Sequence, residues 1–201
     1  MNNTNADGCV YGIQLAPRWT PGDLGTGHDL IRRFTSGDQS AFDEIYRDYE
    51  EFVYHTCLGV MGNPEDARDA MQETFVSVYH GLRKFRYDSK LSTWIYRSAV
   101  NRCLDALRSR KSRQRECSFD WVENPTLMEN DIVQEQIVRS TLMKIKAEYR
   151  IVLVLLYFQG LSYEDIGHAM GWNLNNVRMT LHRARKAFRE KYEGQRCGDE
   201  M

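Results

Sequence analysis

The stretch from Leu161 to Lys191, LSYEDIGHAMGWNLNNVRMTLHRARKAFREK, constrains the chain more than any other, because it carries its own start and stop signals. Ser162 with Asp165 three residues on has the form of a capping box, in which a hydroxyl accepts from a free amide of the first helical turn. The helix it opens turns Ile166 and Met170 inward and stops at Gly171, a residue that adopts the left-handed turn at little cost. Asn173 or Asn175 caps a second helix, along which Val177, Leu181, Ala184 and Phe188 recur as one apolar stripe. The opposite face carries Asn175, Met179, His182, Arg183 and Lys186, with Arg178, Arg185 and Arg189 on its flanks. A short helix, a glycine turn and a basic second helix match helix-turn-helix geometry. In that geometry the second helix enters the DNA major groove, where Arg and Asn pair bidentately with guanine and adenine edges. A basic helix alone would read as a solvated surface; the capped turn together with the clean inner stripe favours DNA.

The whole chain is close to neutral, with 27 Lys and Arg against 28 Asp and Glu over 201 residues. Nucleic-acid binding depends on local patches, so this balance neither supports nor opposes it. Cys9, Cys57, Cys103, Cys117 and Cys197 have no metal-type spacing, which fits reduced thiols in a cytoplasm. The longest apolar run, Ile151 to Phe158, is far too short to span a bilayer, and no targeting segment is visible. His28, His55, His80, His168 and His182 lack metal-ligand spacing, and there is no glycine-rich phosphate loop or nucleophile motif. An enzyme is therefore a poor reading, and no cofactor or metal is expected.

Taken in order, residues 1–27 lack a helical stripe and read as a mobile tail. A short helix is expected over Asp29 to Phe34, then a longer one from Ser40 to Leu58 with Phe42, Ile45, Tyr49, Phe52 and Val53 inward. Asn63-Pro64 breaks the chain, and the helix from Glu65 to Phe85 places Met71, Phe75, Val78 and Leu82 on one stripe. Asp66, Asp69, Gln72 and Glu73 fall on its other side, where physics alone makes them a solvated face. Ser92 or Thr93 caps the next helix, which runs to about Arg110 with Tyr96, Val100, Cys103, Leu104 and Leu107 inward. Trp94, Arg97, Asn101 and Arg108 lie opposite, with Phe85, Tyr87 and Lys90 just before the helix. Aromatic rings beside cations are what single-stranded nucleic-acid sites use, since bases stack and phosphates need positive charge. Trp94 reads equally as such a platform or as a core wedge. The dense basic run Arg108, Arg110, Lys111, Arg113 and Arg115 suits phosphates. Between Glu116 and Glu135 the charges are all acidic, as in a flexible linker. Two helices, Ile132 to Lys146 and Glu148 to Gln159, lead into the helix-turn-helix.

Three motif blocks resemble bacterial RNA polymerase sigma factors of the extracytoplasmic-function group, in the family's order. Asn63-Pro64-Glu65-Asp66-Ala67, Asp69, Gln72-Glu73 and Phe75 look like the segment that grips core polymerase. Phe85-Arg86, then Ser92-Thr93-Trp94-Ile95-Tyr96-Arg97, Ala99 and Asn101, is similar to the segment that opens and reads the −10 element. Gly160 to Ile166, Gly171, Val177-Arg178 and Leu181-His182-Arg183-Ala184-Arg185 resemble the −35-reading region. The family commonly has Gly-Thr-Val-Lys-Ser-Arg entering the recognition helix; here Asn175-Asn176-Val177-Arg178-Met179-Thr180 stands instead.

The resemblance implies an all-α protein of two small bundles joined by a flexible acidic linker. Residues 28–113 would form the core- and −10-binding domain, 114–131 the linker, 132–193 the −35 domain and 194–201 a tail. It implies core-polymerase contacts at Asp66, Asp69, Gln72 and Glu73, and −10 contacts at Phe85, Tyr87, Lys90, Trp94, Arg97, Asn101 and Arg108. The −35 contacts would be Asn175, Asn176, Arg178, Met179, Thr180, His182, Arg183 and Lys186. Core polymerase, promoter DNA and an anti-sigma factor are the expected partners, with no membrane insertion. The alternative is a stand-alone helix-turn-helix regulator, which would need neither the acidic face nor the Trp94 segment.

Overall fold

The computed structural model describes residues 9–10, 13–14, 27–113 and 129–196. Eight helices make two bundles. The first holds α1 (Gly27–Thr35), α2 (Ser40–Met61), α3 (Pro64–Gly81) and α4 (Leu91–Arg113). The second holds α5 (Glu129–Met143), α6 (Ala147–Leu153), α7 (Tyr163–Met170) and α8 (Leu174–Arg196). Two short strands, β1 (Cys9–Val10) and β2 (Ile13–Gln14), pair antiparallel, Cys9 opposite Gln14 and Val10 opposite Ile13. This pairing falls within the stretch expected to be a tail without structure; the rest of that tail, most of the acidic linker and residues 197–201 lie outside the described residues.

Local chemistry sets most helix ends. Asn63 accepts from the amides of Glu65 and Asp66 at 2.8 and 3.2 Å, with Pro64 at the first helical position of α3. Ser162 accepts from the Asp165 amide at 3.1 Å and donates its hydroxyl to the Asp165 carboxylate at 2.8 Å. Gly171 takes the left-handed conformation, with φ of 66°. Asn173, not Asn175, caps α8, accepting from the Asn176 amide at 2.8 Å. Val177, Leu181, Ala184 and Phe188 are all buried, as their spacing requires.

Several expected boundaries move. Helix α2 runs one turn further, to Met61, before Gly62 ends it. Helix α3 stops at Gly81, and Leu82–Lys84 tighten into a 3-10 turn. The apolar run beginning at Ile151 is helical, but Val154–Phe158 widen into a π turn. Neither Ser92 nor Thr93 caps α4, because the helix already begins at Leu91. Thr93 is instead buried, and its hydroxyl donates to Asp165 Oδ1 of the second bundle at 3.1 Å.

That contact belongs to a wider seam: the two bundles also pack against each other. Helix α4 lies on α7, while α2 touches α5, α6 and the π turn. Gly59 makes the approach possible, since a Cβ there would stand 3.0 Å from Val154 Cγ2. Met143 packs more closely still on Gly62, where a Cβ would overlap its sulfur. Tyr96 is buried at the seam and donates to Gln159 Oε1 at 3.3 Å.

Arg150 is the main polar device of the second bundle. Only 7% exposed, it donates to the carbonyls of Leu142 (2.8 Å), Met143 (3.0 Å) and Ile145 (3.3 Å) and, across the seam, of Val60. Burial pulls its pKa down to about 10, still protonated near neutrality. The Arg150→Met variant keeps the apolar stem but strands these acceptors, so a loss of about 3 kcal/mol is expected in urea denaturation followed by circular dichroism. A variant within error of the parent would show that water satisfies the carbonyls equally well.

Candidate polymerase and nucleic-acid interfaces

Three exposed surfaces carry the candidate residues. On α8, Asn175, Asn176, Arg178, Met179, His182, Arg183 and Lys186 are exposed and Thr180 is half-buried. The inner stripe fixes this outward direction, because residues one helical turn apart share a face. Among the described residues no ion pair engages Arg178, Arg183 or Lys186. Met179 is 52% exposed, so an apolar side chain stands at the centre of a basic face without a packing reason. Arg185 behaves differently. Its Nε donates to Tyr157 Oη at 2.9 Å and its Nη2 to Tyr163 Oη at 3.3 Å, with the guanidinium over the Tyr157 ring. It braces α8 against the two preceding segments while remaining exposed.

The second surface surrounds the loop before α4. Trp94 is half-buried: its ring lies on Gly81, where a Cβ would meet Cζ2 at 2.9 Å, and meets Phe85 edge-on at 5.4 Å. Phe85 contacts Tyr87 at 5.1 Å, and Tyr87 contacts His28 at 4.7 Å. Tyr87 holds a φ of 61°, a costly left-handed backbone for a non-glycine residue, and remains exposed. The aromatic group thus has one face on the core and one towards solvent, which combines the two readings of Trp94. Lys90, Arg97 and Asn101 are exposed around it. Arg108 is exposed and pairs with Asp105 at 3.1 Å, an i,i+3 surface pair of little worth that leaves the cation available.

The third surface is on α3, where Asp69, Gln72 and Glu73 are exposed within one helical turn. Asp66 stands apart from them, half-buried near the start of the helix. Val76, 59% exposed, extends the same stripe one step further. Sequence reasoning passed over Val76; the available signal was a β-branched apolar residue three positions after Glu73 on an otherwise polar face. The contact of His28 with Tyr87 joins residues far apart in sequence and had no comparable signal.

Comparison with known proteins covers both bundles. The Sigma-70 region 2 family matches residues 45–113, and Sigma-70 region 4 matches residues 135–188. The ECF RNA polymerase sigma factor SigE of Mycolicibacterium smegmatis is 31% identical over 180 residues, covering 85% of this chain and 69% of that one. The chain belongs to the extracytoplasmic-function sigma factors. The ECF sigma factor SigW of Bacillus subtilis is 29% identical over 175 residues, covering 80% of this chain and 94% of its own. In fold, the sigma factor is similar to RpoE of Bartonella quintana, solved in complex with the anti-sigma factor NepR. That match has a TM-score of 0.61 and 18% identity, and it covers 76% of this chain and 96% of that one. As a member of the family the sigma factor binds core RNA polymerase and directs it to promoters for initiation. No helix among the described residues is long and apolar enough to cross a membrane.

Proposed function

We propose a division of this activity among the three surfaces. Asp69, Gln72 and Glu73, flanked by Asp66 and extended by Val76, grip core polymerase. Phe85, Tyr87 and Trp94 receive unstacked bases of the −10 element, with Lys90, Arg97, Asn101 and Arg108 on its backbone. The outer face of α8 reads the −35 element. The working domains are residues 28–113 and 132–193, the intervening 114–131 being a tether that raises the effective concentration of the second contact. A cytoplasmic location and a non-catalytic role go with this proposed activity. The fold likeness to RpoE supports an anti-sigma factor as a further partner.

The observation that carries this reading is the exposed aromatic group beside α4, with Tyr87 in its left-handed conformation. A stand-alone helix-turn-helix regulator has no use for it. Reconstitution with core polymerase tests the reading directly. On a duplex promoter Trp94→Ala loses about tenfold in initiation, the equivalent of one stacked base at about 1–3 kcal/mol. On a template already mismatched across the −10 region the loss is much smaller, because the cost of unstacking has been removed. Equal losses on both templates would return Trp94 to the role of a packing residue.

A further inference from the structure

Among the described residues three large apolar side chains are exposed: Val76, Tyr87 and Met179. Val76 lies beside the acidic stripe of α3, and Tyr87 rests against Phe85 and His28. Met179 stands in different company. It is the sixth residue of α8. At about 100° per residue it lies roughly 140–180° around the helix from Val177, Leu181, Ala184 and Phe188, the buried stripe. No position on α8 points more directly away from the protein's own core. The four residues one turn from it on the same face, Asn175, Asn176, His182 and Arg183, are all exposed, and all carry hydrogen-bonding groups. The outermost line of the helix is therefore polar, then apolar, then polar again.

Helix-turn-helix docking brings the first turns of the second helix against base edges in the major groove. The side chain aimed furthest from the core goes deepest there. A thioether has no donor and is a weak acceptor. Set against the edge of guanine, adenine or cytosine, it displaces water from ring nitrogens, carbonyl oxygens or amino groups and returns no comparable hydrogen bond. Thymine alone presents a methyl group in the major groove, on C5. Methionine is unbranched and flexible, so it can lie along that methyl without a fixed geometry. The neighbouring Asn and Arg side chains can donate to the thymine O4 or to the bases on either side.

We propose that Met179 reads one thymine of the −35 element through its C5-methyl group. The proposal rests on the reading of that element by α8 given above, and it adds an apolar position between the hydrogen-bonded ones. The thymine lies within the element, because Met179 lies between the two asparagines and Arg183 along the helix.

Deoxyuridine, which lacks only that methyl, is the probe. The full chain with core polymerase first selects its preferred sequence from a duplex library randomised across the −35 element. Each thymine of that sequence, on either strand, is then replaced singly by deoxyuridine. One replacement is expected to weaken binding about fourfold, the worth of one buried methyl-sized group. In the Met179→Ala variant, thymine and deoxyuridine at that position are expected to bind alike. Met179→Leu keeps an apolar side chain of similar volume, so its preference for thymine persists. Circular dichroism of parental intensity shows that both variants fold. A preferred element without an A·T pair, a parent indifferent to every replacement, or a Met179→Ala variant that still tells the two bases apart would each overturn the proposal and leave the −35 reading intact. Selected and scrambled −35 duplexes bound alike would remove that reading, and the proposal with it.

Discussion

With Asp69 and Glu73 both reversed to lysine, the sigma factor binds core RNA polymerase about a hundredfold more weakly, since placing like charges across an interface costs several kcal/mol. The two side chains are exposed one turn apart on α3, and no ion pair among the described residues holds either of them. The reversal leaves the helix itself almost undisturbed. Both positions lie beyond the first turn, where Glu65 and Asp66 supply the favourable charges at the N-terminus. As an i,i+4 pair, Asp69 and Glu73 repel mildly, and two lysines repel to the same degree. Helix content by circular dichroism should therefore match the parent while capture of core polymerase fails. Parental capture by the double variant would remove this face from the interface. Salt adds a second readout: if the contact is a rim of charge, the difference between parent and variant shrinks as ionic strength rises.

The helix-turn-helix was open to reading in sequence because its determinants are local. Ser162, Asp165, Gly171 and Asn173 each act on a backbone group within a few residues, and the stripe from Val177 to Phe188 needs only the helical period. The same holds for Asn63-Pro64 at the start of α3. Thr93 shows where this logic fails. A hydroxyl near a helix start is a good cap on local grounds, but its partner here lies 72 residues away on Asp165. Gly59 gave no warning either, since a glycine within an amphipathic helix does not say which element will press against it. Arg150 stands just before an apolar run and takes only carbonyl partners, so no acidic residue at helical spacing points to its burial. In sequence Arg185 is indistinguishable from its basic neighbours, because the Tyr157 and Tyr163 hydroxyls that hold it lie in earlier segments. The chemistry of the candidate interface residues is thus legible in the sequence, whereas the packing of one bundle on the other depends on shape, which a single sequence does not display.

The −35 surface offers a prediction in which one helix yields opposite kinds of defect. Arg178 enters near the start of α8, exposed and outside any ion pair among the described residues, so its fork is available to a base edge. Lys186 lies two turns on, and a lysine there serves as a point charge for phosphate. Arg178→Ala is therefore expected to flatten preference at one −35 base pair, at a cost of about 1–3 kcal/mol. Lys186→Ala is expected to weaken all sequences alike and to lower the salt slope by about one. Met179 and Thr180 supply little bidentate capacity, so under the proposed reading hydrogen-bonded base readout rests on Arg178, Arg183 and one of Asn175 and Asn176. Met179 is 52% exposed, so exchanging it removes little packing. Thr180 is half-buried, and a longer stem there can lie along the helix with its charged head in solvent. The double variant Met179→Ser, Thr180→Arg consequently keeps the fold while adding polar and cationic reach at the groove, and its preferred −35 sequence shifts. Binding of all three variants to one duplex library randomised across the −35 element, read by sequencing at two salt concentrations, separates these outcomes. If neither the Arg178 variant nor the Met179/Thr180 double variant changes base preference, the outer face of α8 does not read the element, and sequence selection has to come from another part of the second bundle.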